Sequence, residues 1–206
     1  METLETLIIH GCGGHARSVA SAVKDRWTVV FVSPDVRPGE RILGCPSFRS
    51  LDQIVGAESA AHHVAIGDLA EKKAVFKSLR NAGYSLPVLI APGAVVAEGA
   101  ELGQGVFIGV GAYVGPNARI GENTIINTHA IAEHDTVIGA HTHISINAAV
   151  AGYSKVGSEV MLGAGATVID KVSVGDRIVI GAGGVVVGDL TEPGTYVGVP
   201  ARAMKK

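Results

Sequence analysis

The stretch IGENTIINTHAIAEHDTVIGAHTHISINAAV, residues 120–150, carries a side-chain pattern that returns every six residues. Read at that spacing from position 90 to position 186, sixteen of seventeen positions hold Leu, Ile or Val, and the exception is Ala132. Glycine often follows the aliphatic residue, and a small residue or valine often stands two places before it. A register kept this long identifies an internal repeat, which decides the fold of the second half of the chain.

A six-residue period does not fit a helix, because side chains at that spacing would be spread around its surface. It fits a short strand followed by a sharp turn, with the aliphatic side chain pointing inward. Three such units predict one triangular coil of about 18 residues, and successive coils would stack as parallel strands ~4.8 Å apart. We expect the glycines after the aliphatic residues to permit backbone conformations that a Cβ forbids.

The composition of the 206-residue chain excludes several classes of protein. A hydrophobic fraction of 47% with 28 glycines is unlike a disordered chain. A net charge of −2 without a long basic run argues against nucleic-acid binding. The sequence has no apolar stretch of membrane-spanning length and starts without the features of a secretion signal, so we expect a cytoplasmic protein without membrane insertion. Its two cysteines, Cys12 and Cys45, do not make a disulfide framework.

Residues 1–89 predict a small α/β domain of Rossmann-like type, and residues 90–206 predict the repeat domain with a C-terminal cap. Strands are expected at residues 4–10, 28–32 and 62–66, and helices follow the first strand, begin at Ser47, and cover residues 69–81. The Ser47 helix would carry Phe48, Leu51 and Ile54 on one face. Parallel sheets of this kind bind ligands at the carboxyl ends of their strands.

The sequence GCGGHA at residues 11–16 fits the dinucleotide-binding pattern G-x-G-x-x-G/A, with Asp35 near the expected distance. Glycines let backbone N–H groups approach a phosphate at a helix N-terminus. Because a second mononucleotide-binding unit is missing, phosphate or nucleotide binding is favoured over a nicotinamide site, and a tight turn without a ligand is the other alternative. His15 is a candidate ligand contact, whereas His10, His62 and His63 are expected to pack or cap.

The segment IAEHD, residues 131–135, places His134 between Glu133 and Asp135 in the one hexad that lacks a large aliphatic residue. A histidine beside a carboxylate can have its imidazolium stabilised and its tautomer fixed, as a general base requires. The alternative is an ordinary surface histidine on a wall of the coil.

A zinc site is a further alternative, because His129, His134, His141 and His143 lie close together in the sequence. The gamma-class carbonic anhydrases share this type of helix and use an H-x4-H pair together with a histidine about two coils earlier. His129 and His134 have the H-x4-H spacing, but residues 89–96, where the third ligand would fall, contain no histidine. We therefore expect no metal.

The segment GTYVGVPAR at residues 194–202 leaves the six-residue register. We expect it to cap the open backbone of the last coil. Arg202, Lys205 and Lys206 are candidates for phosphate contacts.

The hexad run, the IAEHD segment, the leading GCGGHA and the ending GVPAR together resemble the bacterial hexapeptide-repeat sugar acyltransferases. The similarity covers nearly the whole chain and is greatest to the UDP-4-amino-sugar N-acetyltransferases and the sialic acid O-acetyltransferases of surface-glycan synthesis. It implies a left-handed parallel β-helix, a homotrimer with acetyl-CoA between neighbouring helices, and an N-terminal domain that holds the nucleotide of the sugar.

The resemblance also implies roles for individual residues. His134 would be the catalytic base, supported by Asp135 or Glu133, and His143 would lie near the acetyl-CoA thioester. Gly152 stands one coil after His134, so it should stack on it and offer its N–H to the acyl carbonyl. The other matching positions are Ala164 and Ala182 along the CoA arm, Gly13, Gly14 and His15 in the loop around the nucleotide sugar, and Gly67 beside the base of the nucleotide.

One departure from the family concerns the nucleotide. Related sugar N-acetyltransferases often carry two acids after the second strand, where this chain has Ser33, Pro34 and then Asp35. Asp35 therefore remains the candidate for the uridine or ribose contact, and the base of the nucleotide is left open.

The resulting hypothesis is an acetyl-CoA-dependent N-acetyltransferase that acts on a nucleotide-linked amino sugar of the UDP-4-amino-4,6-dideoxy type. Direct transfer within a ternary complex is favoured, because no serine or cysteine neighbours His134 in the sequence. The alternatives are O-acetylation of sialic acid or a related sugar, a zinc hydratase, and a non-catalytic scaffold or nucleotide sensor.

Overall fold

The computed structural model describes residues 4–204 and consists of two compact units. The first unit ends at Pro87 and the second begins at Val88. Within residues 4–204, no helix is both long enough and apolar enough to cross a membrane.

The first unit is an α/β sheet domain. Its elements are β1 (Thr6–His10), α1 (Gly14–Val23), β2 (Thr28–Val32), β3 (Arg41–Ile42), β4 (Cys45–Phe48), β5 (Ala61–Val64) and α2 (Leu69–Asn81), with 3₁₀ turns at Leu51–Gln53 and Ala57–Ser59. The strand order is β3-β4-β2-β1-β5, in which β1, β2, β4 and β5 run parallel and β3 is antiparallel to β4. The central strand β1 pairs with β2 and β5, and its apolar residues Leu7, Ile8 and Ile9 are fully buried.

Both predicted helices that flank this sheet are confirmed. The helix α1 buries the apolar face read from the sequence, which consists of Ala16, Val19, Ala20 and Val23. The helix α2 starts after Asp68, whose Oδ1 accepts a hydrogen bond from the Glu71 N–H at 2.8 Å. This cap satisfies one of the N–H groups that a helix leaves unpaired at its start.

The helix predicted from Ser47 is wrong. Residues 45–48 form the strand β4, in which Phe48 pairs with Val32 of β2. Pro46 favours an extended conformation of the residue before it, and the Ser47 hydroxyl donates to the Glu40 carbonyl at 2.6 Å instead of capping a helix. The apolar residues Phe48, Leu51 and Ile54 nevertheless pack against the same core, as the apolar face of a helix with that spacing would.

The second unit is a parallel β-helix made of short strands. They are β6 (Leu89–Ile90), β7 (Val95–Val96), β8 (Glu101–Leu102), β9 (Phe107–Ile108), β10 (Tyr113–Val114), β11 (Arg119–Ile120), β12 (Ile125–Ile126), β13 (Ile131–Ala132), β14 (Val137–Ile138), β15 (His143–Ile144), β16 (Ala149–Val150), β17 (Lys155–Val156), β18 (Met161–Leu162), β19 (Thr167–Val168), β20 (Ser173–Val174), β21 (Ile178–Ile180), β22 (Val185–Val186), β23 (Gly194–Val197) and β24 (Arg202–Ala203). Every third strand belongs to the same sheet, so the coil has three walls.

Strands on one wall pair with a constant shift of eighteen residues, as between Tyr113 and Ile131 or between Ile131 and Ala149. The repeated aliphatic residue of each strand points into a continuous core, in which Ile126, Ile144 and Leu162 have no exposed surface. Full burial of such a side chain stabilises the fold by roughly 1.5–3 kcal/mol.

Each coil turns at corners that hold one residue with a positive φ, and this residue recurs every six positions from Gly93 to Gly183. Many of these residues are not glycine, among them Asn117, Asp135 and Tyr153, with φ of 57°, 57° and 61°. The corner conformation is therefore imposed by the stacked coils on residues that rarely adopt it alone.

Glycine is needed after the aliphatic residues for a reason other than the expected backbone conformation. They do not have positive φ values; instead they lie against the backbone of the next coil. A Cβ on Gly115 would lie 2.5 Å from the His134 nitrogen, and a Cβ on Gly121 would lie 2.5 Å from the Ala140 nitrogen. Glycine is present there to allow close approach, and the expectation of a special backbone conformation was wrong.

The C-terminal segment pairs with the last coil. The strand β23 adds to β21 in parallel, and β24 folds back antiparallel to β23. Arg202 lies in β24 with its side chain exposed, and Nη1 donates to the carbonyl oxygen of Ala201 at 3.1 Å. Lys205 and Lys206, the other candidate phosphate contacts, lie outside the described residues.

Two glycine substitutions should therefore lower the free energy of unfolding by different amounts. Gly121→Ala should lower the free energy of unfolding by about 1–3 kcal/mol, because the added methyl group overpacks against the next coil. Gly93→Asn should be close to neutral, because Gly93 has a φ of 76° with open space around it and asparagine tolerates that conformation. Denaturant unfolding of both variants at one protein concentration measures the difference, and equal losses would contradict the close-approach explanation.

Candidate active site

The segment that contains His134 forms a corner of the β-helix between β13 and β14. Asp135 occupies the positive-φ position of this corner, and its N–H donates to the carbonyl oxygen of Pro116 on the preceding coil at 2.9 Å. Asn117 and Tyr153 occupy the same position on the coils before and after. The eighteen-residue stacking therefore brings Asn117, Asp135 and Tyr153 into one column beside His134.

The His134 ring is held by the carboxylate of Asp135. His134 Nδ1 lies 3.0 Å from Asp135 Oδ2, and Asn117 Nδ2 donates to Asp135 Oδ1 at 3.3 Å. The hydrogen bonds from His134 and then from Asn117 lower the pKa of Asp135 below its ordinary value. A carboxylate only accepts hydrogen bonds, so the proton of the neutral imidazole is on Nδ1 and Nε2 carries the lone pair.

Glu133, the second candidate partner, does not contact the ring. Its Oε2 accepts a hydrogen bond from the backbone N–H of His134 at 3.2 Å. Asp135 is therefore the carboxylate that orients the imidazole. About half of the His134 side chain, 46%, is exposed, and within residues 4–204 no group forms a hydrogen bond with Nε2.

Gly152 stacks against His134, where the repeat period places it. A Cβ on Gly152 would lie 2.6 Å from both Nε2 and Cε1 of His134, so a larger residue would displace the ring. The next residue, Tyr153, packs edge-on against the imidazole, with the ring centres 5.1 Å apart and an angle of 84°. Neither Tyr153 nor Asn117 was predicted as part of the site, although both stand one coil from Asp135 and the repeat period would have found them.

The other residues assigned to acetyl-CoA lie elsewhere on the coil. His143 is in β15, where its Nε2 accepts a hydrogen bond from Asn127 Nδ2 at 3.1 Å. Ala164 and Ala182 are exposed and stack at the corner that precedes β19 and β22, where the Gly183 N–H donates to the Ala164 carbonyl at 2.9 Å. Within one chain, the structure thus places His143, Ala164 and Ala182 away from the corner of His134.

A cavity of about 520 Å³ lies at the carboxyl ends of β1, β2 and β5 in the first unit. It brings together all five residues predicted to bind the substrate, which are Gly13, Gly14, His15, Asp35 and Gly67. Gly13 precedes α1 and Gly14 begins it, and a Cβ on either would meet no atom within 4 Å, so the cavity reaches the backbone there. His10 and Arg49 also line this cavity and were not predicted to do so.

The glycine at position 11 is required by the fold of this loop. Its φ is 117°, and a Cβ would lie 2.6 Å from the Ala65 carbonyl oxygen. Gly11 thus lets β1 turn sharply into α1, and the first residues of α1 line the cavity. The unpaired N–H groups at the start of a helix suit an anionic group such as a phosphate.

No group of three or more His, Cys, Asp or Glu side chains within residues 4–204 is arranged to hold a metal ion. His129 and His134 are therefore not part of such a group. His141, which was also considered, is buried, and its Nδ1 lies 2.9 Å from Asn123 Nδ2.

Comparison with known proteins identifies relatives for both units. The PglD N-terminal domain matches residues 6–79, and the bacterial transferase hexapeptide (six repeats) matches residues 99–134. A mutant of GDP-perosamine N-acetyl transferase from Caulobacter crescentus, in complex with CoA and GDP-perosamine, is 33% identical with a TM-score of 0.91, covering 99% of each chain. The chain belongs to the hexapeptide-repeat sugar acyltransferase family.

A second member of this sugar acyltransferase family is equally similar in structure. The acetyltransferase domain of PglB from Neisseria gonorrhoeae FA1090 is 30% identical with a TM-score of 0.91, covering 97% of this chain and 100% of that chain. The same domain in complex with acetyl coenzyme A is 29% identical, also with a TM-score of 0.91. Comparison with curated protein sequences gave no match. The resemblance seen in the sequence is confirmed, and with it the left-handed sense of the β-helix.

The hydrogen bonds to Asp135 give a measurable prediction. Asn117→Gly keeps a residue that accepts the positive φ but removes one donor to the carboxylate, so the pKa of Asp135 should rise toward its ordinary value. Carboxyl ¹³C NMR titration follows this group directly. Asn123→Gly is the matched control, because Asn123 has the same backbone conformation but contacts His141 instead. A pKa of Asp135 that stays unchanged in Asn117→Gly would contradict the assigned contact.

Proposed function

We propose that the protein is an acetyl-CoA-dependent N-acetyltransferase that acts on the amino group of a nucleotide-linked amino sugar in bacterial surface-glycan biosynthesis. The observation that carries this proposal is the His134 imidazole held by Asp135 with Nε2 free to accept a proton. Membership of the sugar acyltransferase family supports the choice of reaction. Acetyl-CoA and nucleotide sugars are cytoplasmic metabolites, so we place the reaction in the cytoplasm.

The proposed reaction is a direct transfer. The neutral amine of the sugar attacks the thioester carbon, a C–N bond forms, and His134 Nε2 takes the proton that the nitrogen loses. The tetrahedral intermediate then expels the CoA sulfur, which receives that proton from the imidazolium. The adjacent Asp135 stabilises the imidazolium between these two steps.

The backbone N–H of Gly152 fits the role of oxyanion donor. Within residues 4–204 no atom accepts a hydrogen bond from it, and its residue stacks on the His134 ring. A fixed donor near the reacting carbonyl stabilises the negative charge that develops on its oxygen.

We further propose that the active form is a homotrimer. His134 and Gly152 lie at one corner of the coil, whereas Ala164 and Ala182 lie at another. A site that uses the base together with these CoA positions therefore needs a second chain. Acetyl-CoA bound between neighbouring β-helices satisfies this requirement.

For the substrate, we propose that the first unit binds the nucleotide through the cavity beside Gly13, Gly14 and His15. The positive end of α1 suits the diphosphate. Asp35 and Gly67 line the same cavity and are the proposed contacts for the remaining nucleoside. The resemblance favours a UDP-4-amino-4,6-dideoxy sugar, whereas the Caulobacter crescentus complex holds GDP-perosamine. An assay with both types of nucleotide sugar decides whether the nucleobase is uracil or guanine.

A substrate panel tests the proposed function. Thiol release from acetyl-CoA should be seen with a UDP- or GDP-linked amino sugar and should require the free amino group. Sialic acid and hydroxyl-bearing sugar nucleotides without an amine are the controls for O-acetylation. Turnover of sialic acid in place of every amino sugar would make the protein an O-acetyltransferase, and binding without any transfer would make it a non-catalytic nucleotide-binding protein.

The role of His134 is tested by substitution. His134→Ala should lower kcat by ~10²–10⁴-fold if the residue is the general base. The control is Arg177→Asn, which replaces an exposed side chain at the corner that holds neither His134 nor the CoA positions, keeps a residue that tolerates the positive φ, and should leave kcat unchanged. Steady-state kinetics with a saturating substrate measures both, and a wild-type kcat in His134→Ala would remove this residue from the mechanism.

A further inference from the structure

Two histidines form a buried hydrogen-bonded pair next to the cavity of the first unit. His10 ends β1, and His62 lies on the neighbouring strand β5. Nε2 of His10 lies 2.9 Å from Nδ1 of His62, and Nε2 of His62 lies 2.9 Å from the carbonyl oxygen of Ala57. The ring of His62 also packs on Tyr84, with the ring centres 4.3 Å apart, which restrains its orientation.

This chain of contacts fixes the position of each ring proton. A carbonyl oxygen only accepts hydrogen bonds, so His62 Nε2 carries a proton and, in the neutral ring, His62 Nδ1 carries a lone pair. His10 Nε2 must then donate to that lone pair, and the neutral ring of His10 has its own lone pair on Nδ1.

Both rings remain neutral under physiological conditions. His62 has no exposed surface and His10 only 8%. Burial, and next the proximity of His62, lower the pKa of His10 to about 3, and burial lowers the pKa of His62 as well. The Nδ1 lone pair of His10 is therefore a permanent hydrogen-bond acceptor.

His10 lines the cavity together with the glycine loop. Within residues 4–204 its Nδ1 has no hydrogen-bond partner, so this nitrogen can accept a hydrogen bond from a ligand. The diphosphate of a nucleotide sugar is itself an acceptor and gains nothing from a lone pair. A ligand group that approaches Nδ1 must instead bring an O–H or an N–H.

We propose that His10 is a specificity-determining residue of the nucleotide-sugar site, whose Nδ1 accepts a hydrogen bond from a hydroxyl or N–H group of the substrate. His62 is the positioning residue that sets the tautomer of His10. This inference rests on the proposed function, because it assumes that the cavity binds a nucleotide sugar. The donor group comes either from the nucleoside or from the hexose.

Two glutamine variants separate the roles of the pair. In His10→Gln, the side-chain amide can still donate to His62 Nδ1, but the acceptor that faces the cavity is lost. Loss of one such hydrogen bond should weaken binding about tenfold. His62→Gln keeps the donor to the Ala57 carbonyl but frees the tautomer of His10, so it should weaken binding less.

Calorimetry with UDP, GDP and the amino-sugar nucleotide turned over in the panel measures these effects. A loss seen already with the nucleoside diphosphate places the donor on the ribose or the base, and the 2′- and 3′-deoxy analogues identify a ribose hydroxyl. A loss seen only with the complete substrate places the donor on the hexose. Melting temperature and the KM for acetyl-CoA should stay at wild-type values in His10→Gln, because neither depends on the lost acceptor.

A spectroscopic measurement tests the same contact without activity. In the wild-type protein, ¹⁵N NMR should show His10 protonated at Nε2 only, and the Nδ1 resonance should shift toward a hydrogen-bonded value when the nucleotide is added. In His62→Gln, the free protein should show a mixture of tautomers. A purely structural role of the pair would leave the Nδ1 resonance unchanged on binding.

The outcomes distinguish this inference from the proposed function. If the wild-type protein acetylates a member of the panel but His10→Gln binds it with an unchanged Kd, the inference is wrong and the function stands. The inference is also wrong if His10 is found protonated at Nδ1. If the wild-type protein neither binds nor acetylates any panel member, both are wrong.

Discussion

The backbone hydrogen bonds between successive coils determine the geometry of the second unit. A residue donates to the carbonyl seventeen positions later, as Gly115 does to Ala132 at 2.7 Å and Glu133 to Val150 at 2.9 Å. Side chains eighteen residues apart therefore lie directly over one another. Because this register is constant, the position of one side chain fixes the positions of its neighbours above and below.

The corner around His134 is a product of that register. Asp135 adopts a positive φ because the stacked coils impose it, and this conformation directs its carboxylate to the imidazole of the residue before it. The coil below supplies Asn117 to the same carboxylate, and the coil above supplies Gly152 and Tyr153 to the ring. An imidazole held in this way needs no rearrangement when a substrate arrives.

Much of this arrangement can be read from the sequence, because a strict period converts spacing into contact. The stacking of Gly152 on His134 followed from one coil length, and the same rule applied to Asp135 would have given Asn117 and Tyr153. The period did not reveal whether Asp135 or Glu133 meets the ring, since both flank it and only the turn geometry separates them. It also did not explain the glycines, whose role depends on the distance between coils.

The first unit was less predictable because its contacts come from strand pairing between distant segments. The spacing of Phe48, Leu51 and Ile54 predicts a helix, but the pairing of Phe48 with Val32 of β2 makes residues 45–48 a strand. His10 and His62 are 52 residues apart, and nothing local to either predicts that they meet. Taken separately, each histidine predicts only a packing or capping residue, and their contact arises from the pairing of β1 with β5.

The unbroken six-residue corner pattern also restricts how the length of this chain can change in evolution. An insertion of one residue within the coils would turn every later aliphatic side chain away from the core. An insertion of six residues before His134 would place this residue at a different corner. Only the gain or loss of a complete turn of eighteen residues keeps all later columns aligned. We therefore expect homologous chains to differ in length at the cap, in the first unit, or by whole turns.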